Sequence, residues 1–209
     1  YLFDNNGTQL WSRSSGVSGS GGPTIADFDG DGSPEVAAAF ETKVMVVETN
    51  GSLKWTASIY DSTSMGASIA AFDLDGDGAA ELIYADQSDL YIWDGSGHEL
   101  YHNSDHSSGT LWESPVVADV DRDGNAEIIV PSNDYQYTGW DGIRVLEEVD
   151  DEWASARMIW NQHAYATSYI EDDMSVPQSA TPPWLATNTL RANTSWSDEP
   201  AGAPNAAAL

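Results

Sequence analysis

The chain has 209 residues, 41% of them apolar, which is enough for one domain with a hydrophobic core. Its formal net charge of −27, with only seven Lys and Arg, would repel nucleic acid and anionic membrane surfaces, so we expect no nucleic acid partner and no membrane insertion. The absence of cysteine excludes disulfides, a thiolate nucleophile and Cys-ligated zinc.

Short apolar runs with β-branched and aromatic residues predict β-strands from the first residues onward. Segment 2–11 predicts a hairpin with Asn6-Gly7 in its turn, and segments 46–55 and 91–101 repeat the pattern. Tyr1-Leu2-Phe3 does not read as a signal peptide, so we expect a soluble mature chain or a fragment.

Three acidic loops, each between two apolar runs, recur at a spacing of 46 residues. They read Asp-Phe-Asp-Gly-Asp-Gly-Ser-Pro-Glu from Asp27 to Glu35, Asp-Leu-Asp-Gly-Asp-Gly-Ala-Ala-Glu from Asp73 to Glu81, and Asp-Val-Asp-Arg-Asp-Gly-Asn-Ala-Glu from Asp119 to Glu127. Because the spacing is constant, the loops belong to a repeated structural unit.

The composition of these loops predicts calcium binding. Carboxylates at positions 1, 3 and 5 converge, a glycine at position 6 permits the turn, and a fourth acid and a backbone carbonyl complete an oxygen shell. The predicted carboxylate ligands are Asp27, Asp29, Asp31, Glu35, Asp73, Asp75, Asp77, Glu81, Asp119, Asp121, Asp123 and Glu127. The predicted carbonyl ligands are those of Ser33, Ala79 and Asn125. We therefore expect about three calcium ions, serving mainly folding and rigidity.

Each unit of 46 residues predicts four strands, the pattern of a β-propeller blade. The last two strands of the third unit are predicted at Gly142–Leu146 and Trp153–Arg157. The predicted fold is therefore all-β and propeller-like, with three full four-stranded blades and an N-terminal half-blade over residues 1–158. A closed ring needs about four blades, so later residues, a longer protein or other subunits would complete it.

The loops are not EF-hands, because position 12 falls on Ala38, Tyr84 and Val130, within apolar strands. With the closing acid at position 9, they resemble the calcium loops of FG-GAP or VCBS-type repeats, found in integrin-like propellers and many secreted bacterial proteins. That resemblance implies ligands at loop positions 1, 3, 5 and 9. Two departures are a Glu in place of Asp at position 9 and Arg122 at position 4 of the third loop.

After residue 158 the repeat stops, and a Trp-, Pro- and Asn-rich segment begins. Residues 159–196 are expected to form an ordered irregular segment packed on the blades, and residues 197–209 a flexible tail or linker. The segment resembles a tail that follows such repeats in large bacterial surface proteins. Its candidate partner-binding residues are Trp160, His163, Tyr165 and Trp184, whereas Trp11, Trp55 and Trp93 fit strand positions and predict packing.

The sequence carries no pattern that predicts an enzyme: there is no Gly-x-Ser-x-Gly elbow and no phosphate loop. His98, His102 and His106 recur every four residues, but a strand would hold the first two about 13 Å apart, so we expect surface residues. The predicted function is a calcium-stabilised scaffold or adhesion module, secreted or on a bacterial cell surface, which binds a protein or glycan. The alternatives are a self-assembling subunit of an extracellular filament and a noncatalytic part of a secreted polysaccharide-active enzyme.

Overall fold

The computed structural model describes residues 1–63, 66–135 and 138–195. The described chain is all-β with two short 3-10 helices, and none of its helices has the length and apolar character to cross a membrane. The strands are β1 (Leu2–Phe3), β2 (Gln9–Trp11), β3 (Thr24–Ala26), β4 (Glu35–Phe40), β5 (Lys43–Val47), β6 (Leu53–Ser58), β7 (Ala70–Phe72), β8 (Glu81–Ala85), β9 (Leu90–Trp93), β10 (Glu99–Asn103), β11 (Val116–Ala118), β12 (Glu127–Ser132) and β13 (Gly142–Leu146). The helices are Thr167–Tyr169 and Pro183–Leu185.

The strands form four antiparallel sheets in which neighbours in sequence are neighbours in space. β1 and β2 form a small N-terminal sheet; β3 to β6 form sheet 1, β7 to β10 form sheet 2, and β11 to β13 form sheet 3. Each acidic loop joins the first two strands of its sheet, as predicted. None of these sheets closes into a ring over the described residues.

The predicted fourth strand of the third unit, Trp153–Arg157, is wrong. Sheet 3 has three strands in the described chain, and residues 153–157 cross to other elements. The Ala154 N–H donates to the Leu74 carbonyl over 2.7 Å, and the Arg157 carbonyl accepts from the Asp119 N–H over 3.3 Å. The Arg157 side chain is buried and forms an ion pair of 2.7 Å with Asp172, which draws this segment away from β13.

The sheets pack face to face, because alternate residues of each strand point to opposite faces. One core lies between sheets 1 and 2 and contains Val44, Val46, Leu82, Tyr84 and Trp93. A second core lies between sheets 2 and 3 and contains Ile83, Ile92, Val117, Ile128 and Val130. Sheet 2 is therefore buried on both faces, which accounts for the continuous burial of β7, β8 and β9.

Tryptophans pack successive sheets together at their hairpin turns. Trp11 Nε1–H donates to the Thr49 carbonyl over 2.8 Å, and its ring lies against Gly51. Trp55 Nε1–H donates to the Gly95 carbonyl over 2.8 Å, and its ring lies against Gly97. These contacts, with buried Trp93, place the three strand tryptophans in packing positions.

The C-terminal segment runs across the first strands of all three sheets. Leu190 exchanges two backbone hydrogen bonds of 2.9 Å with Ile25, and the Arg191 carbonyl accepts from the Ala71 N–H over 3.0 Å. Asn193 Nδ2 donates to the Val117 carbonyl over 2.9 Å. This segment therefore contacts β3, β7 and β11 in turn. Residues 197–209 and Trp196 lie outside the described residues, and the proposed division of the chain at residues 158 and 196 stays a prediction.

Candidate metal centres

The three acidic loops adopt closely similar folds, in which the position-1 aspartate organises the turn. Asp27 Oδ2 accepts the Gly32 N–H over 2.7 Å, and Asp73 Oδ2 accepts the Gly78 N–H over 3.0 Å. In the third loop, Asp119 Oδ2 accepts the Gly124 N–H over 3.2 Å. These position-6 glycines have φ of 87°, 96° and 101°, a region that favours glycine, as predicted for a sharp turn.

The position-9 glutamates are buried and face back into their loops. One carboxylate oxygen of each accepts the N–H of the residue at loop position 2: Phe28 to Glu35 over 2.8 Å, Leu74 to Glu81 over 2.5 Å and Val120 to Glu127 over 2.6 Å. The strand that follows begins at this glutamate in each sheet, so the strand fixes the carboxylate position.

Three of the four carboxylates predicted in each loop lie together. One oxygen from each member of a group lies within 4.8 Å of the others, which is the separation that oxygens coordinating one ion would have. The groups are Asp27, Asp29 and Glu35; Asp73, Asp75 and Glu81; and Asp119, Asp121 and Glu127.

The position-5 aspartates are not members of these groups. Each accepts the N–H of position 7 instead: Ser33 to Asp31 over 2.7 Å, Ala79 to Asp77 over 2.8 Å and Asn125 to Asp123 over 2.8 Å. Coordination by these aspartates and by the carbonyls of Ser33, Ala79 and Asn125 stays a prediction.

The electrostatics of the groups favour a cation. Burial raises the pKa of Glu35 to about 7, of Glu81 to about 8 and of Glu127 to about 7, and the neighbouring aspartates add to the shift. Glu35 Oε1 is buried and has no hydrogen-bond partner in the described structure. A buried carboxylate oxygen without a partner, on a glutamate that is grouped with two more carboxylates, fits a hard divalent cation.

The three loops differ in their neighbouring basic residues. Lys54 forms an ion pair with Asp29 at the first loop and a second one of 3.0 Å with Glu48. In the third loop, Arg122 is exposed and has φ of 70°, at the position that Gly30 and Gly76 occupy with φ of 70° and 73°. Lys54 places a positive charge beside the first site, which the sequence pattern of the loops did not predict.

The other predicted site residues are distributed over the C-terminal segment. Tyr165 is fully buried, and its ring stacks on Trp160 with centroids 4.6 Å apart. His163 is exposed and lies edge-on to Trp112, with centroids 5.6 Å apart, and Trp184 is also exposed. Of these four, His163 and Trp184 are therefore the more accessible to a partner.

The expectation that all three histidines lie on the surface is wrong for His106. His106 is 3% exposed, and its Nδ1 lies 2.9 Å from Ser132 Oγ. Burial lowers the pKa of His106 to about 4. The sequence around His106 predicts a loop and not burial, because the burial depends on contact with β12, which lies later in the chain.

Comparison with known proteins assigns the repeats. The model of the FG-GAP-like repeat matches residues 27–84 and again residues 73–130. No curated protein matches the chain. The crystal structure of the V. cholerae biofilm matrix protein Bap1 is similar, with a TM-score of 0.71 and 33% sequence identity, covering 77% of this chain and 27% of that one. The chain thus matches about a quarter of the length of Bap1. Residues 27–130 of the chain therefore belong to the FG-GAP-like repeat family.

Proposed function

We propose that the chain is a calcium-stabilised, noncatalytic module of an extracellular scaffold, which binds a protein or glycan partner. The main support is the repeated cluster of two aspartates and a buried glutamate in each of three loops. Calcium takes six to eight hard oxygen ligands, and the carboxylates with nearby carbonyls and water would supply them. The three sheets would then be successive blades of a propeller that other segments or subunits complete.

The extracellular location rests on similarity to a biofilm matrix protein and on the charge of the chain. Three divalent ions would leave a formal charge of about −21, so the loaded module would remain strongly acidic. A scaffold role agrees with the position of the loops, since each one joins the first two strands of its sheet. Calcium would hold the ends of the first two strands of each sheet together.

Isothermal titration calorimetry of the chelator-treated protein tests the calcium proposal. We expect about three sites, and we expect calcium to raise the melting temperature because it binds the folded state. Magnesium, which requires tighter octahedral geometry, should bind more weakly and is the matched control. Unchanged melting after chelation, together with no heat on calcium addition, would disprove the proposal.

A second candidate function is a self-assembling subunit of an extracellular filament. The N-terminal sheet favours it: among the described residues it consists of two strands, and Tyr1, Phe3 and Leu10 are exposed. Exposed apolar strands at a sheet edge are templates for pairing with another chain. Light scattering with calcium and with chelator distinguishes the two functions, since a discrete monomer at high concentration would count against a filament.

A further inference from the structure

The outer edge of sheet 3 differs from the outer edges of sheets 1 and 2. In those sheets a fourth strand, β6 or β10, pairs with the third strand. After β13 the chain makes the corresponding turn, in which the Asp151 N–H donates to the Glu148 carbonyl over 3.2 Å. In the described structure, no strand then pairs with the outer edge of β13. The place of a fourth strand is therefore open.

A cleft lies beside this open edge. At the equivalent positions of the preceding pairs of sheets, a tryptophan packs on a glycine and fills the space. Trp11 lies on Gly51 and Trp55 lies on Gly97, both at the turn of the following sheet. The third turn has Asp151 at the corresponding place, with φ of 54°. Tyr101 in β10 has the strand position that Trp55 has in β6, so a smaller ring replaces the tryptophan. A cleft of about 570 Å³ lies between Tyr101 and the third turn, whose Glu148 and Val149 also line it.

The cleft combines an apolar floor with an acidic rim. Its lining includes Ile92, Tyr101, Leu146 and Trp153, the acids Glu147 and Glu148 of the following turn, and Asp75 and Glu81 of the second acidic loop. The turn that borders it, residues 147–152, contains five acids and one valine. On β13 itself, Ile143 is 73% exposed and Val145 is 53% exposed. An apolar, unpaired strand edge is a site at which another strand can add.

We propose that β13 and this cleft dock an extended segment of a partner protein in which apolar residues alternate with Lys or Arg, added as the fourth strand of sheet 3. Main-chain hydrogen bonds to β13 would align the segment, and alternate side chains would lie in the cleft and along the acidic rim. The acidic turn selects a basic partner, because like charges repel across an interface.

Charge argues against the two occupants that the chain itself could provide. Residues 196–209 contain Asp198 and Glu199 and no Lys or Arg. A second copy of the chain has a net charge of −27 and would bring further acids to an acidic edge. The acids that select the basic partner are those of the turn at residues 147–152 and not the loop carboxylates, which calcium would neutralise, so the peptide test and the calcium test can fail separately.

The test uses a fluorescent eight-residue peptide of alternating valine and lysine, added to the full chain in calcium buffer. Fluorescence anisotropy should show saturable binding, whereas the peptide with glutamate in place of lysine should not bind. A basic peptide N-methylated at alternate residues cannot donate main-chain hydrogen bonds on one edge, and it should also lose binding. Hydrogen exchange should show new protection at residues 142–146.

Matched variants localise the interaction. Glu147→Lys should weaken binding about tenfold, because it reverses one charge on the rim. Val176→Lys is the control, since Val176 is 75% exposed in the C-terminal segment and should leave binding unchanged. Circular dichroism and melting temperature should confirm that both variants fold.

Three outcomes would overturn the proposal. Equal binding of the lysine peptide and its N-methylated form would indicate unspecific charge attraction. Dimerisation that protects residues 142–146 would assign the edge to a second copy. Binding that appears only in a chain ending at residue 195 would assign it to residues 196–209 of the same molecule.

Discussion

Glu81 is a buried carboxylate, and without a cation the protein provides few interactions that stabilise its ionised form. It is 3% exposed, it accepts one backbone N–H, and burial raises its pKa to about 8. Glu81→Gln keeps an oxygen for that N–H but removes the charge. We expect the variant to be more stable than the parent in chelator, on the order of 2 kcal/mol at pH 8, and to bind calcium at least tenfold more weakly at one site.

Melting in chelator and in calcium measures both effects. Glu171→Gln is the control, because Glu171 is exposed in the C-terminal segment. A variant that loses stability in chelator and keeps full calcium affinity would contradict the assignment of Glu81 as a ligand.

The same burial predicts the direction of the pH dependence. The folded protein holds protons on Glu35, Glu81 and Glu127 up to pKa values of about 7 to 8, whereas the unfolded groups lose them near 4.5. Between these values the folded state binds more protons, so its stability in chelator should fall as pH rises. Melting temperatures from pH 5 to 8 test this, and the slope should be smaller for Glu81→Gln. A slope that does not change would contradict the prediction.

Arg122 adopts a backbone conformation that glycine occupies in the two other loops. Its φ is 70°, and a left-handed conformation costs a non-glycine residue about 1 kcal/mol. Arg122→Gly should therefore stabilise the protein by about 1 kcal/mol, and removal of the positive charge should tighten cation binding at the third loop. Urea denaturation and calcium titration measure the two effects.

Arg122→Asn is the matched control, because asparagine, like glycine, tolerates positive φ and lacks the positive charge of arginine. If Arg122→Asn and Arg122→Gly bind calcium equally and both more tightly than the parent, charge is the cause of the affinity change. A loss of stability in Arg122→Gly would contradict the strain argument.

At the level of elements, the contact between a tryptophan and the next hairpin turn joins the sheets. A Cβ added to Gly51 would come within 2.8 Å of Trp11 Cγ, whereas one added to Gly7 would meet no atom within 4 Å. Both glycines have positive φ, of 85° and 80°. Gly7→Ala should cost about 1 kcal/mol for backbone strain alone, and Gly51→Ala about 2 to 3 kcal/mol because Trp11 must also move.

Urea denaturation gives these free energies, and limited proteolysis of residues 1–20 shows whether the N-terminal sheet detaches. Faster cleavage should occur in Gly51→Ala and not in Gly7→Ala. Equal effects of the two substitutions would mean that the Trp11 contact adds nothing to the attachment of the N-terminal sheet.

The strands around the loops could be predicted because sequence pattern and structure have the same local cause. The acidic turn before Val36–Phe40 lies between two short apolar runs, a pattern that predicts a hairpin. The same pattern recurs every 46 residues. The fate of Trp153–Arg157 could not be predicted in this way. Its apolar residues fit a strand, but buried Arg157 pairs with Asp172 and Tyr165. Both partners belong to the C-terminal segment, so the local sequence pattern does not reveal the pairing.

The metal groups show the same division. The loop sequence was enough to predict that Asp27, Asp29 and Glu35 lie together. Asp27 and Asp29 belong to one tight loop, and Glu35 is the first residue of the strand that follows it. The pairing of Lys54 with Asp29 joins residues 25 positions apart and depends on how β6 packs beside the loop. Such contacts follow from the assembled sheets and not from the loop sequence.

Over the whole molecule, Arg191 connects the C-terminal segment to the sheets. It is 2% exposed, and Nε–H donates to the Ile69 carbonyl over 2.8 Å while Nη2–H donates to the Pro115 carbonyl over 3.2 Å. Nη1–H donates to the His163 carbonyl, and the guanidinium lies 5.3 Å from the centroid of the Trp160 ring. Burial lowers its pKa to about 10, so it stays charged at neutral pH.

Arg191→Met keeps a long side chain but leaves the buried carbonyls of Ile69 and Pro115, and the part-buried carbonyl of His163, without this donor. We expect a loss of about 3 kcal/mol or more in unfolding free energy, because unsatisfied buried acceptors are costly, and faster proteolysis between residues 159 and 190. Arg13→Met is the control: Arg13 is exposed and makes a hydrogen bond of 3.0 Å to the Gly51 carbonyl, so its loss should cost less than about 1 kcal/mol. Arg191→Lys should lie between the two, since one ammonium group replaces part of the donor set. If Arg191→Met unfolds at the same urea concentration as Arg13→Met, the Arg191 side chain does not hold the C-terminal segment to sheets 2 and 3.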